Sequence, residues 1–437
     1  MTKILIENGR VLNPATAYDA VATIAIENRK VSGIYPLGTK PAEFENAQII
    51  DASGCVVLPG LVDLAVRLRE PGHEHEGMLE SELQAAVVGG ITSVVCLPDT
   101  DPVLDEPGLV KMLKFRAANL KRARVFPLGA LTRNLKGENL TEMAQLTEAG
   151  CVGFSHADVT IFNTQVLQRA FQYASNYGYT VWLRPNDAYL GNGVAASGAI
   201  ATRLGLSGVP AMAETIAINT VIALMKSTGA RVHLCRLSSA DSVELVRQAK
   251  AAGLPISADV SINSLFLTDQ DIGYFDSRAR LTPPLRQQRD RDALQQGLKD
   301  GTIDALVSDH YPLERDAKAV PFASATPGAS GLELLLSLAY KWGQSQELSL
   351  LDTFACVTSR AAQVLGDSVQ SCPSTLGQIT VGQEADICIA DLAHNWVVTD
   401  ESLSSQGKST PFSSYEIPAK VKHTLVAGLL TYSMASN

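Results

Sequence analysis

The sequence predicts an α/β protein: a (β/α)8 TIM-type barrel with a small β-sandwich domain formed by the N- and C-terminal segments. Two observations predict it. From about residue 59 to residue 370, short apolar runs alternate with amphipathic helical stretches. On either side of that zone the chain consists of short β-type runs separated by turn signals. Eight strand–helix alternations over roughly 300 residues form the barrel pattern, with a doubly wound open sheet as the structural alternative. The chain thus divides into 1–57 (sandwich, first part), 58–371 (barrel) and 372–437 (sandwich, second part).

The elements follow in order. β-type runs at 3–7, 21–27, 30–35, 47–51 and 56–58 are set off by turns such as Asn8-Gly9. The barrel strands are placed at 60–66, 92–97, 124–128, 152–155, 180–183, 231–235, 256–260 and 305–307. Helical periodicity lies between them at 78–88, 163–175, 211–226, 240–251 and 289–299. The stretch 189–208, rich in Gly, Ala and Ser, reads as a mobile loop. β-type runs return at 379–380, 386–390, 396–398 and 421–426.

Composition excludes several classes of function. Of the 437 residues, 46% are hydrophobic and 19% charged, which suits a well-packed globular chain rather than a disordered one. A net charge of −9 with interspersed signs argues against nucleic acid, whose phosphates need a basic face. The seven cysteines form no C-x-x-C pair and read as small buried hydrophobes of a reducing compartment. The N-terminus lacks a signal-peptide pattern, and no window approaches about 18 uninterrupted apolar residues. A cytoplasmic protein without a membrane partner is expected.

Barrel enzymes build their sites at the C-terminal ends of the strands. Here those ends read Pro59-Gly60-Leu61-Val62-Asp63, Arg69-Glu70-Pro71-Gly72, Leu97-Pro98-Asp99-Thr100, Pro283-Pro284-Leu285-Arg286 and Ser308-Asp309-His310. With Asp300-Gly301-Thr302-Ile303-Asp304 and Gly331-Leu332-Glu333 added in the same order, the chain resembles the type I dihydroorotases of the amidohydrolase superfamily over nearly its whole length.

That resemblance implies a binuclear zinc site, and nearly all of its ligands are replaced. The H-x-H pair that would end the first barrel strand is Ala65 and Arg67. The position after strand 4 carries His156-Ala157, that after strand 5 Arg184, and that after strand 6 Arg236, although His233 stays three residues upstream. Asp309 after strand 8 is the one ligand kept. Of the groups that the resemblance assigns to substrate, Arg69 for the carboxylate remains, its neighbouring Asn is Asp99, and two others are Thr282 and Leu313.

Zinc chemistry needs several deprotonated N or O ligands converging on one point. A methyl group has no lone pair, and a guanidinium stays protonated and accepts nothing. No metal, no other cofactor and no catalytic residue are therefore expected, with Asp309 a remnant. The pair His73 and His75 is a literal H-x-H, but it follows a turn instead of ending a strand, and His310 reads as a loop-orienting residue.

Three arginines at ligand positions allow two readings. They fill the volume of the two metals and pair with leftover carboxylates such as Asp309, Asp99 and Asp63. Alternatively, Arg67, Arg69, Arg184 and Arg236 form a small-anion site. The resemblance points further, to the inactive dihydroorotase-like subunits that accompany aspartate transcarbamoylase. It implies a non-catalytic structural subunit in pyrimidine biosynthesis, homodimeric and partnered by the transcarbamoylase catalytic chain. An active cyclic amidohydrolase with a site rebuilt from His156, Asp158 and Asp309 is the remaining alternative.

Overall fold

In the computed structural model, which describes residues 3–366 and 375–435, eight parallel strands alternate with helices around a ring. They are Leu61–Val66, Ile91–Cys96, Arg124–Pro127, Phe154–Ser155, Thr180–Leu183, Arg231–Leu234, Ile256–Ser261 and Ala305–Val307. The third breaks at Leu128 and resumes as Gly129–Ala130, which pairs with the fourth. The ring closes where Val66 bridges His310: His310 N donates to Ala65 O at 3.1 Å and Arg67 N donates to His310 O at 2.9 Å.

Strands of such a barrel are buried on both faces, which is why they read as unbroken apolar runs. All six residues of each of the first two strands are buried. The interior is filled by Val62, Leu64, Val95, Phe126, Trp182 and Val307, each large side chain contributing about 1.5–3 kcal/mol by leaving water. Local signals set the helices. Asn163 caps Thr164–Tyr177 by accepting from Gln165 N at 3.0 Å, and Gly178, at φ +72°, ends it. Ser239 caps Ala240–Ala251 in the same way.

Beside the barrel, both chain ends build one β-rich domain. Seven of its eight strands hydrogen-bond along one continuous path, Gln48–Asp51 pairs off that path with Lys3–Asn13, and the two ends meet where Val56–Pro59 runs antiparallel to Ile387–Asp391. Ile4, Ile6, Ile24, Ile26, Ile387 and Leu425 form its core.

Three expectations are corrected. The run at 396–398 does not join this sheet. Trp396–Val397 pairs with Glu416–Ile417 in a separate two-stranded ribbon, because the buried Trp396 indole donates to Ala419 O at 3.0 Å. Residues 379–380 form no strand, lying between turns at Gly377 and Gly382. The stretch 189–208 is not structureless: the helix Ala199–Leu204 is flanked by Ala195–Ala196, which pairs with Gly208–Val209. Alanine favours helix, which glycine-rich flanks obscured. The boundary placed at 371/372, and Cys372, lie outside the described residues. The other six cysteines are free, and no described helix is long and apolar enough to cross a membrane.

Candidate functional site

Six strand ends bring charge to one place. Arg67 follows the first strand, Asp99 the second, Asp158 the fourth, Arg184 the fifth, Arg236 the sixth and Asp309 the eighth. Arg67 donates through Nε to Asp99 Oδ2 at 2.7 Å and through Nη2 to Asp158 Oδ2 at 2.6 Å. Arg236 donates through Nη1 to Asp309 Oδ1 at 2.9 Å and through Nη2 to Asp158 Oδ1. Arg184 Nε lies 2.8 Å from Asp158 Oδ1 as an ion pair, without the alignment of a hydrogen bond. Three guanidiniums therefore meet three carboxylates, and Asp158 touches all three cations.

The electrostatics follow from that hub. Burial pushes the Asp158 carboxyl up, but Arg236, Arg67 and Arg184 outweigh it and hold the group well below the usual carboxylate range. Burial dominates at Asp309 and raises it to about 6, against the pull of Arg236 and Arg67. Burial lowers Arg184 more than Asp158 restores it. The backbone is bent to make the cluster: Ala157, Arg236 and Asp309 sit at φ +49°, +56° and +51°, a left-handed region that side chains other than glycine enter at a cost.

Arg69 stands apart from the hub. Its Nε donates to Glu76 Oε2 at 2.5 Å, and both Arg67 and Arg69 lie over the Tyr311 ring, 4.6 and 4.7 Å from its centroid. A cavity of about 310 Å³ remains beside the network, lined by Asp158, Arg184, Arg236, Thr282, Asp309 and Tyr311. Leu313 is buried.

Other sequence-predicted residues go elsewhere. His156 is buried, with Nε2 2.8 Å from Thr132 Oγ1 and Nδ1 2.8 Å from Val159 O, so it does not meet Asp158 and Asp309 as the rebuilt-site alternative requires. Among the described residues, Asp63 pairs with no arginine. It accepts from Ala65 N and Ser308 N deeper in the barrel. His310 Nε2 bonds Glu82 at 2.7 Å. The loop residues His73 and His75 have ring centroids 6.1 Å apart.

Among the described residues, one group has metal-ligand types within 4.8 Å of one another: His233, Cys235 and Asp259. It is closed by its own hydrogen bonds, since His233 holds Ser257 and Asp259, and Asp259 also accepts from Arg236 N. At the positions that the resemblance assigns to zinc, a methyl group, three paired guanidiniums and an imidazole turned away do not fit a metal.

Sequence reasoning missed Asp158 as the hub and Glu76 as the partner of Arg69. The available signal for the first was position, because Asp158 lies three residues past the end of the fourth strand, at the barrel face where sites are built.

A family model described as dihydro-orotase-like matches residues 54–242. A dihydroorotase-like protein of Pseudomonas aeruginosa is 40% identical over 430 residues, covering 98% of this chain and 99% of that one. The chain belongs to the dihydroorotase-like family of amidohydrolases. A dihydroorotase-like protein of Pseudomonas putida is 39% identical, covering 97% of this chain and 98% of that one. A dihydroorotase of Syntrophotalea carbinolica is 36% identical over 99% of this chain and 100% of that one. The fold is shared with an L-hydantoinase from Arthrobacter aurescens, at a TM-score of 0.87 and 24% identity over 99% of this chain and 96% of that one. That L-hydantoinase has the TIM-barrel and β-rich architecture described above. In this dihydroorotase-like protein, the strand ends of that architecture carry the arginine–aspartate network.

Proposed function

We propose that this dihydroorotase-like protein is catalytically inactive and serves as a non-catalytic structural subunit of an aspartate transcarbamoylase complex in de novo pyrimidine biosynthesis, entering it as a homodimer. One observation carries the reading: Asp158 gathers Arg67, Arg184 and Arg236 where metal ligands would converge. With those positions cationic, no group there lowers the pKa of a water or polarises an amide carbonyl as a metal would. A scaffold kept over its whole length without that chemistry is useful for its shape. The transcarbamoylase partner comes from the resemblance to the inactive subunits.

The test is the light-scattering mass of the chain alone and mixed with the same organism's transcarbamoylase chain. A heavy mixed complex whose transcarbamoylase activity depends on this protein supports the role. Two separate peaks with unchanged activity remove it.

A second reading has its own observation. The cavity of about 310 Å³ has Arg184 and Arg236 in its wall, and Arg236 Nε finds no hydrogen-bond partner among the described residues. That favours a small-anion binding or regulatory role for the same pocket. A rise in Tm with dihydroorotate, carbamoyl aspartate or phosphate supports it, and no shift with any of the three removes it.

A further inference from the structure

At the opposite end of the barrel, where the third strand begins at Arg124, a groove of about 430 Å³ runs between the barrel and the β-rich domain. Five cations line it, Arg29, Lys114, Lys121, Arg122 and Arg124, and no acidic side chain does. Arg124 is paired with Asp386 and Glu384. The other four make no side-chain hydrogen bond or ion pair among the described residues. In a chain of net charge −9 such a concentration of unpaired cations is unusual. The floor is apolar, made of Ala117, Val125, Phe126 and Leu429.

Helix ends explain part of this charge. Lys121 and Arg122 follow the helix Pro107–Leu120, whose C-terminal carbonyls favour cations, and Lys114 packs over Gly150 at the end of Met143–Ala149. They do not explain Arg29, which lies on a hairpin of the other domain.

The backbone adds an independent observation. Arg29 is the second residue of the two-residue turn Asn28-Arg29, both at positive φ (+53° and +71°), a turn in which that position strongly favours glycine. Lys121, at φ +52°, occupies the position past a helix end where glycine is again preferred. Two glycine-favoured positions from two domains thus carry strain to bring cations to one groove.

We propose that this groove binds a small molecule with two or more phosphate groups and an apolar or aromatic body, the chemistry of a nucleoside di- or triphosphate. The phosphates neutralise the four free cations, and the body covers the apolar floor. The volume falls in the range of small-molecule sites, about 300–1,000 Å³. The site is independent of the assembly role proposed above.

Calorimetric titration of the full chain at low ionic strength, with ATP and with inorganic triphosphate as probes, tests it. ATP binds wild type, and triphosphate, lacking the body, binds more weakly. Arg29→Gly and Lys121→Gly each raise Tm, because the turn relaxes, yet each weakens ATP binding by about tenfold through loss of one charge-assisted contact. The raised Tm shows that a loss of binding is not misfolding. No heat from ATP at millimolar concentration overturns the proposal, as does ATP binding that survives in the double variant. Equal binding of the two probes removes the apolar body from it.

Discussion

Arg184 reaches a carboxylate within ion-pair distance only at Asp158, whose Oδ1 lies 2.8 Å from its Nε, among the described residues. Arg67 and Arg236 each have a second carboxylate, Asp99 and Asp309. Loss of the Asp158 charge therefore leaves Arg184 without an ion-pair partner, held only by its Nη2 donating to the Asp158 backbone carbonyl at 3.3 Å. Asp158→Asn keeps the volume and is expected to cost about 3–5 kcal/mol, the range for breaking a buried pair on one side. Over a chain of 437 residues that is a drop of about 3–5 °C in Tm. Differential scanning calorimetry checks it, with Asp99→Asn as the milder comparison because Asp99 pairs with Arg67 alone, which keeps Asp158 as a second carboxylate. Equal Tm values for Asp158→Asn and wild type would show that Asp158 is not the hub.

Asp63 gives a pH-dependent prediction. Burial raises its carboxyl to about 6, only partly offset by its contacts with Ser308 and Ala65. The native state then holds the proton more tightly than the unfolded chain, whose value is the ordinary 3.8. The ionised side chain accordingly costs nothing below about pH 4, and its full penalty is present above about pH 6. Asp63→Asn abolishes that titration and keeps an oxygen for both backbone donors. Its stability relative to wild type is expected to improve by about 3 kcal/mol between pH 4 and pH 7.5. Urea unfolding of both proteins at the two pH values measures this, and a pH-independent difference would mean that Asp63 ionises normally.

The barrel was legible because strands buried on both faces leave unbroken apolar runs. The runs 180–183 and 305–307 match Thr180–Leu183 and Ala305–Val307 residue for residue. The Trp396–Val397 ribbon was not legible, since its partner is chosen by a tertiary hydrogen bond of the indole. In the site, Arg67, Arg184 and Arg236 could be placed because a strand end fixes where a side chain starts. Their partners could not, because loops aim them: Ala157 at φ +49° turns the chain between His156 and Asp158, so that the imidazole goes to Thr132 and the carboxylate to the arginines. Asp63, on the first strand with Ala65, was expected among the carboxylates of the pocket. It lies four residues below Arg67, and backbone donors meet it first.

Glu76 supplies the last prediction. Its carboxylate takes the Arg69 guanidinium, which is only 6% exposed and stacks on Tyr311, leaving no free charge for an outside carboxylate. Glu76→Gln removes the counter-charge without shortening the side chain. A buried charge left with a weaker partner costs about 1–3 kcal/mol, so Tm falls by about 1–3 °C. The same variant should bind a small carboxylate that restores the pair, so dihydroorotate raises its Tm by more than it raises that of wild type. In the double variant Arg69→Ala/Glu76→Gln, that extra rise disappears, since the guanidinium that attracts the carboxylate is gone. Thermal unfolding with and without the ligand measures all three proteins. A rise in wild type as large as in Glu76→Gln would show that Glu76 does not occupy Arg69 in solution.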